Sequence, residues 1–81
     1  MEKIKETVIE ILRKYTFNET VWQGYTDDFN MVKDLKINSA RIVDIILDIE
    51  DKFSISISDE DLDKLAKVKD LIELIAKKTN V

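Results

Sequence analysis

Eighty-one residues, 44% of them apolar and 37% charged, describe a folded domain with a modest core and not a disordered chain. Neither cysteine nor histidine is present, which excludes disulfides, thiolate and imidazole metal sites, Ser-His hydrolysis and imidazole acid–base work near neutral pH. A net charge of −4 opposes a nucleic-acid ligand and favours basic protein surfaces as partners.

The first residues, Met1-Glu2-Lys3-Ile4-Lys5-Glu6, lack the apolar core of a signal peptide. The longest clearly helical apolar run, Ile45-Ile46-Leu47, is far short of a membrane span. A soluble, cytoplasmic protein is therefore expected. So short a chain leaves little room for an enclosed pocket, and an autonomous enzyme is not expected.

From residue 3 to about 15, Ile4, Val8, Ile11, Leu12 and Tyr15 form one apolar stripe, with Glu6, Glu10, Arg13 and Lys14 mostly opposite. This is the first helix. From Thr16 to Asn38 the periodicity stops, and cap and turn formers such as Asn18, Gly24, Asp27 and Asn30 alternate with Phe17, Val21, Trp22, Tyr25, Phe29, Met31, Leu35 and Ile37. So long a loop is unusual in a compact domain. Its aromatics predict a loop pinned on the core, with a helical turn near Asp28 to Leu35. Trp22 is read as a packed anchor, with a binding role as the alternative.

Asn38 has the side chain to cap the second helix, which is predicted to run to about Lys52. Ile42, Ile45, Ile46, Ile49 and Phe53 form its core stripe; Ala40, Val43, Leu47 and Asp51, with Asp44 beside them, form a second line. Either this helix is central or its second line meets a partner. Ser54-Ile55-Ser56-Ile57 reads as an extended connector burying Ile55 or Ile57. Ser58 and Asp61 have the spacing of a capping box, opening a short helix from Asp59 to about Leu65 that buries Leu62 and Leu65. The acidic residues there lack the glycine and closing glutamate of a calcium loop, so no metal is expected. A last helix from about Val68 to Lys78 turns Val68, Leu71, Ile72 and Ile75 inward, and the final three residues are expected to fray. The reading is all-α: one domain over 1–81, a four-helix bundle of three long helices and a short third one, with a long loop after the first.

Read alone, Ser39 is a serine near a helix cap. An ordered set of residues surrounds it: Lys33-Asp34-Leu35, Asn38-Ser39-Ala40, Val43-Asp44-Ile45, Ile49-Glu50-Asp51-Lys52-Phe53, Ile57-Ser58-Asp59-Glu60, then Asp63-Lys64-Leu65, Val68 and Ile72. From Met31 to Ile75 this set resembles the acyl carrier protein family, whose matching runs read acidic-Asp-Leu, Asp-Ser-Leu, Val-Glu-Leu, Leu-Glu-Glu-Glu-Phe and Ile-Pro-Asp-Glu. The resemblance implies an acyl-carrier-like bundle and a covalent 4′-phosphopantetheine, moved from coenzyme A onto Ser39 by a phosphopantetheinyl transferase. The arm's thiol then holds acyl groups as thioesters. With no histidine in the chain, the base that activates the serine must come from the transferase.

The resemblance further implies a monomer that docks on acyl-loading, condensing and acyl-transfer enzymes with basic surfaces. The residues it assigns to docking are Ala40, Arg41, Val43, Asp44, Leu47, Asp48 and Asp51 on the second helix, with Asp59, Glu60 and Asp63 on the third. Four positions depart from the pattern. Asn38 replaces an acid, Ala40 a leucine, Arg41 an acidic or polar residue, and Lys36 a common glycine. They suit a specialised carrier for fatty-acid, polyketide or related assembly. The alternatives are a peptidyl or aminoacyl carrier, and an unmodified carrier-fold interaction module.

Overall fold

The computed structural model describes residues 2–79. Helix α1 spans Glu2–Arg13 and buries Val8, Ile11 and Leu12. Its end tapers through tighter bonds, Lys14 N–H to the Ile11 carbonyl at 3.1 Å and Tyr15 N–H to the Leu12 carbonyl at 3.0 Å. Tyr15 thus keeps its place on the stripe although regular helix stops two residues earlier.

The loop after α1 is anchored much as its aromatics predict, with one exception. Trp22 is buried, its ring tilted on Tyr25 at 5.2 Å, and Tyr25 meets Phe29 edge-on at 5.3 Å. Arg13 lies over the Trp22 ring at 4.7 Å, and Trp22 Nε1–H donates to the Thr16 hydroxyl. Trp22 is therefore a packed anchor. Phe17 is the exception, 97% exposed. Regular helical structure in the loop falls at Glu19–Trp22, a 3-10 turn capped by Asn18. Near Asp28 to Leu35 there is a single α-turn, closed by Asp34 N–H on the Asn30 carbonyl at 2.9 Å.

Before α2 stands a 3-10 turn, Ser39–Arg41; α2 itself spans Ile42–Phe53. Ile45, Ile46 and Ile49 are buried, while Ile42 and Phe53 at the ends of the stripe are half-buried. Helix α2 ends one residue later than expected because Ser54 adopts a left-handed conformation (φ 55°) and donates its N–H to the Glu50 carbonyl. In the connector both Ile55 and Ile57 are half-buried against the core, and the Glu50 carboxylate accepts the Ile57 N–H at 2.7 Å.

Helix α3 is a single turn, Asp59–Asp63, opened by a complete Ser58–Asp61 capping box. It is shorter than predicted, and Leu62 and Leu65 are only half-buried. The chain has to turn there to reach α4, Val68–Thr79, whose start is held by the Asp70 carboxylate accepting from the Ala66 and Lys67 amides. Val68, Leu71, Ile72 and Ile75 are buried as predicted. Thr79 is still helical; the rest of the expected fraying falls on residues 80 and 81, outside the described residues. Helix α1 packs on both α2 and α4. Among the described residues fourteen apolar side chains form the core, and no polar side chain is buried without a partner. Among those residues the bundle has four α-helices and no strand, and none of its helices is long and apolar enough to cross a membrane.

Candidate functional site

Ser39 stands where loop becomes helix, and its position is set from behind. Met31, Leu35 and Ile37 are buried beneath the segment that leads to it. Asn30 organises that segment: its side-chain oxygen accepts from the Val32 and Lys33 amides, each at 2.9 Å, and its own N–H donates to the Asp34 carboxylate at 2.7 Å. Met31 N–H donates to the Ala66 carbonyl, and the amides of Val68 and Lys69 donate back to the carbonyls of Phe29 and Asp27. A single bridge between Asn30 and Lys67 completes the join. The approach to Ser39 is thereby tied to the α3–α4 joint. Spacing alone did not single out Asn30, whose Asx-turn chemistry was the available signal.

At the junction Asn38 does the capping, its side-chain oxygen accepting the Ala40 N–H at 2.9 Å. Its carbonyl takes the Arg41 N–H at 2.8 Å, and the Ser39 carbonyl takes the Ile42 N–H. The amides of Ala40, Arg41 and Ile42 are therefore occupied within the turn. The Ser39 side chain is exposed, and among the described residues its hydroxyl makes no hydrogen bond. A phosphodiester on this oxygen would displace no internal contact, so the residues fit the group the resemblance implies. Beside the junction, Asn30, Met31, Val32, Lys33, Ile42, Leu65 and Ala66 line an open hollow of about 230 Å³.

Two residues before and after this junction carry charge in unusual settings. Lys36 is left-handed at φ 58°, and among the described residues no carboxylate forms an ion pair with it. Arg41 pairs with Asp44 at 3.3 Å across an exposed i, i+3 spacing. Such a pair is worth about 0.3–0.5 kcal/mol, and a cation here faces the positive end of α2.

The second apolar line of α2 is largely open: Val43 and Leu47 are each 56% exposed. Ala40, Arg41 and Asp51 are exposed beside them, and Asp59, Glu60 and Asp63 are exposed on α3. Asp44 is half-buried in its pair with Arg41. Asp48 is placed differently. It is half-buried, turned toward α1, and accepts the Tyr15 O–H at 2.6 Å. That hydrogen bond, then burial and the carboxylate's charge, raise the Tyr15 phenol above its usual 10.0. The Tyr15–Asp48 contact had no signal in helix periodicity, since Asp48 lies at the edge between the two faces.

The profile of a family described as "Phosphopantetheine attachment site" matches residues 23–75, well over half the chain. The acyl carrier protein of Petrotoga mobilis is 30% identical over 80 residues, covering 99% of this chain and 87% of that protein. That of Exiguobacterium sp. is 36% identical over 75 residues, with 93% and 87% covered. "Acyl carrier protein 3, mitochondrial" of Arabidopsis thaliana is 33% identical over 78 residues, covering 96% of this chain and 58% of that protein. The four-helix bundle, the match across the serine junction and these relatives agree: the chain belongs to the acyl carrier protein family, non-catalytic carriers that hold a covalent 4′-phosphopantetheine and serve a phosphopantetheinyl transferase and biosynthetic enzymes.

Proposed function

We propose that Ser39 is the attachment residue, and that the chain is one cytoplasmic, monomeric carrier domain of a specialised fatty-acid, polyketide or related pathway. The observation that carries the assignment is the division of labour at the junction. Asn38 supplies the cap, which leaves the Ser39 hydroxyl exposed and without an internal partner. When bound, the arm supplies a terminal thiol for thioesters. The chain's own residues hold the junction firm, offer the serine oxygen, and leave deprotonation to the transferase.

Docking is assigned to the open line of α2 and the start of α3. Ala40, Arg41, Val43 and Leu47 give contact area. Asp44, Asp51, Asp59, Glu60 and Asp63 give a negative field for basic enzyme surfaces, with Asp48 adding charge from the edge. The hollow beside Ile42 offers partial shelter to an apolar tail. Departures at Asn38, Ala40 and Arg41 from the family's usual pattern support a dedicated pathway.

Intact mass after incubation with coenzyme A and a broad-specificity transferase tests the attachment. Wild type should gain one arm and Ser39→Ala none. An arm on the Ser39→Ala variant moves the site elsewhere. An unmodified wild type leaves a carrier-fold interaction module.

A further inference from the structure

The chain holds an electrostatic oddity at the serine. Between residues 33 and 41 stand three cations, Lys33, Lys36 and Arg41, against one acid, Asp34; from 42 to 63 eight carboxylates face Lys52 alone. The Asp34 carboxylate is already engaged by the Asn30 amide. Arg41 is set where the helix field repels it, with only a weak exposed partner, Asp44.

We infer that Arg41 is the counter-ion of the arm's phosphodiester, and that loading of Ser39 draws it away from Asp44. This rests on Ser39 being the attachment residue. A phosphodiester there brings a permanent negative charge, yet the amides of Ala40, Arg41 and Ile42 are all spent within the turn. Of the turn's amides only that of Ser39 itself has no partner among the described residues, so the anion needs further donors from outside the turn. Arg41 lies two residues on, about 4 Å along the axis and about 240° around it at the 3-10 rise and turn, so its guanidinium meets the phosphodiester by the reach of a long side chain and not by sharing a face with Ser39. Its guanidinium presents a planar fork that suits phosphate oxygens. Lys36, three residues before the serine, adds positive charge in the same stretch of chain. The existing contact to Asp44 is a single 3.3 Å approach with both side chains solvated, a poor competitor for a charge-assisted fork.

The exchange has a consequence on the docking face. In the unloaded chain Arg41 masks Asp44. In the loaded chain Asp44 is released, so the face offered to a basic enzyme carries one more free carboxylate. Partners that act on the arm thereby gain a local cue that the arm is present, without any change of fold.

The chain's only arginines are Arg13 and Arg41, so proton–nitrogen spectra contain two side-chain Nε–H signals. Arg13, held by Glu19 at 2.7 Å and by the Trp22 ring, serves as internal reference. Samples of wild type and Asp44→Asn are compared before and after loading with coenzyme A and a broad-specificity transferase, with intact mass recorded for each. In the unloaded chain Asp44→Asn should shift the Arg41 signal. Loading should shift it again, and in the loaded chain Asp44→Asn should no longer move it. The phosphorus resonance of the arm should respond to Arg41→Gln and not to Asp44→Asn. An Arg41 signal that stays put on loading, or that still follows Asp44 in the loaded chain, overturns the exchange while leaving Ser39 as the loaded residue. A wild-type chain that gains no arm, or a Ser39→Ala chain that gains one, overturns the attachment and the exchange together.

Discussion

At the scale of single residues, Lys36 sets a side chain where the backbone favours none. Its left-handed φ of 58° crowds the β-carbon against the following carbonyl, a strain of roughly 1–2 kcal/mol for an L-residue. Glycine removes that strain but frees the unfolded chain by about 0.4–1 kcal/mol. Lys36→Gly should therefore stabilise the fold by about 0–1.6 kcal/mol, read as a higher denaturant midpoint with unchanged slope. A loss of stability would mean that the lysine stem makes packing contacts of its own. The family resemblance marked this position as one where glycine is common, which was a legible trace of the conformation. Asn38 as a cap was legible from its residue type and place. The free hydroxyl of Ser39 was not, because sequence alone does not say which of two adjacent polar residues takes the cap.

Among the elements, α2 was the most legible. Its two apolar lines followed from spacing, and the structure buries one and opens the other. Leu47→Ala should weaken docking on a partner enzyme while changing stability by no more than about 1 kcal/mol, since the side chain is half in water and alanine favours helix. Ile46→Ala, in the core, should cost about 2–5 kcal/mol. Denaturant unfolding of the two variants separates the faces; equal losses would put Leu47 in the core. Charge was harder to place than hydrophobicity. Asp44 and Asp48 both read as docking residues, yet each carboxylate already has an internal partner, Arg41 and Tyr15. Periodicity reports angle around an axis and not the reach of a long side chain on a neighbouring element. The early end of α3 was likewise hidden, because it depends on where α4 must begin.

For the molecule as a whole, the joint between α3 and α4 is the electrostatic hub. Asp61 closes the capping box and meets Lys78 near the end of α4 at 3.1 Å. The Ser58 backbone bond first, then Lys78, hold its carboxyl below the usual 3.8. Asp28 is also held low, by the hydrogen bond and charge of Lys69 at 3.1 Å. A depressed folded-state value stabilises the fold above the unfolded value, and that stability is lost as pH falls through the folded one. Asp61→Asn should thus lower the denaturant midpoint at pH 7, and the gap to wild type should narrow as the pH drops below 3.8. A gap that persists undiminished in acid would assign Asp61 a role independent of its charge. The fold class was legible throughout, because four amphipathic periods survive in a chain with no proline and one glycine. The course of the long loop was not, since its order comes from backbone bonds to Ala66, Phe29 and Asp27 that carry no residue signature.

That seam also turns the loop into a measuring rod. Met31 is fastened to Ala66, and Asn38 opens the α2 turn, so seven steps of chain fix how far the serine stands from the α4 base. Leu35 and Ile37 are both sunk in the core along the way and leave no slack to take up. Elsewhere on a small helical protein, gaining or dropping a loop residue passes almost unnoticed. Here it would change the register between the point of loading and the rest of the bundle, so the length of this segment is itself under constraint, whatever its letters are.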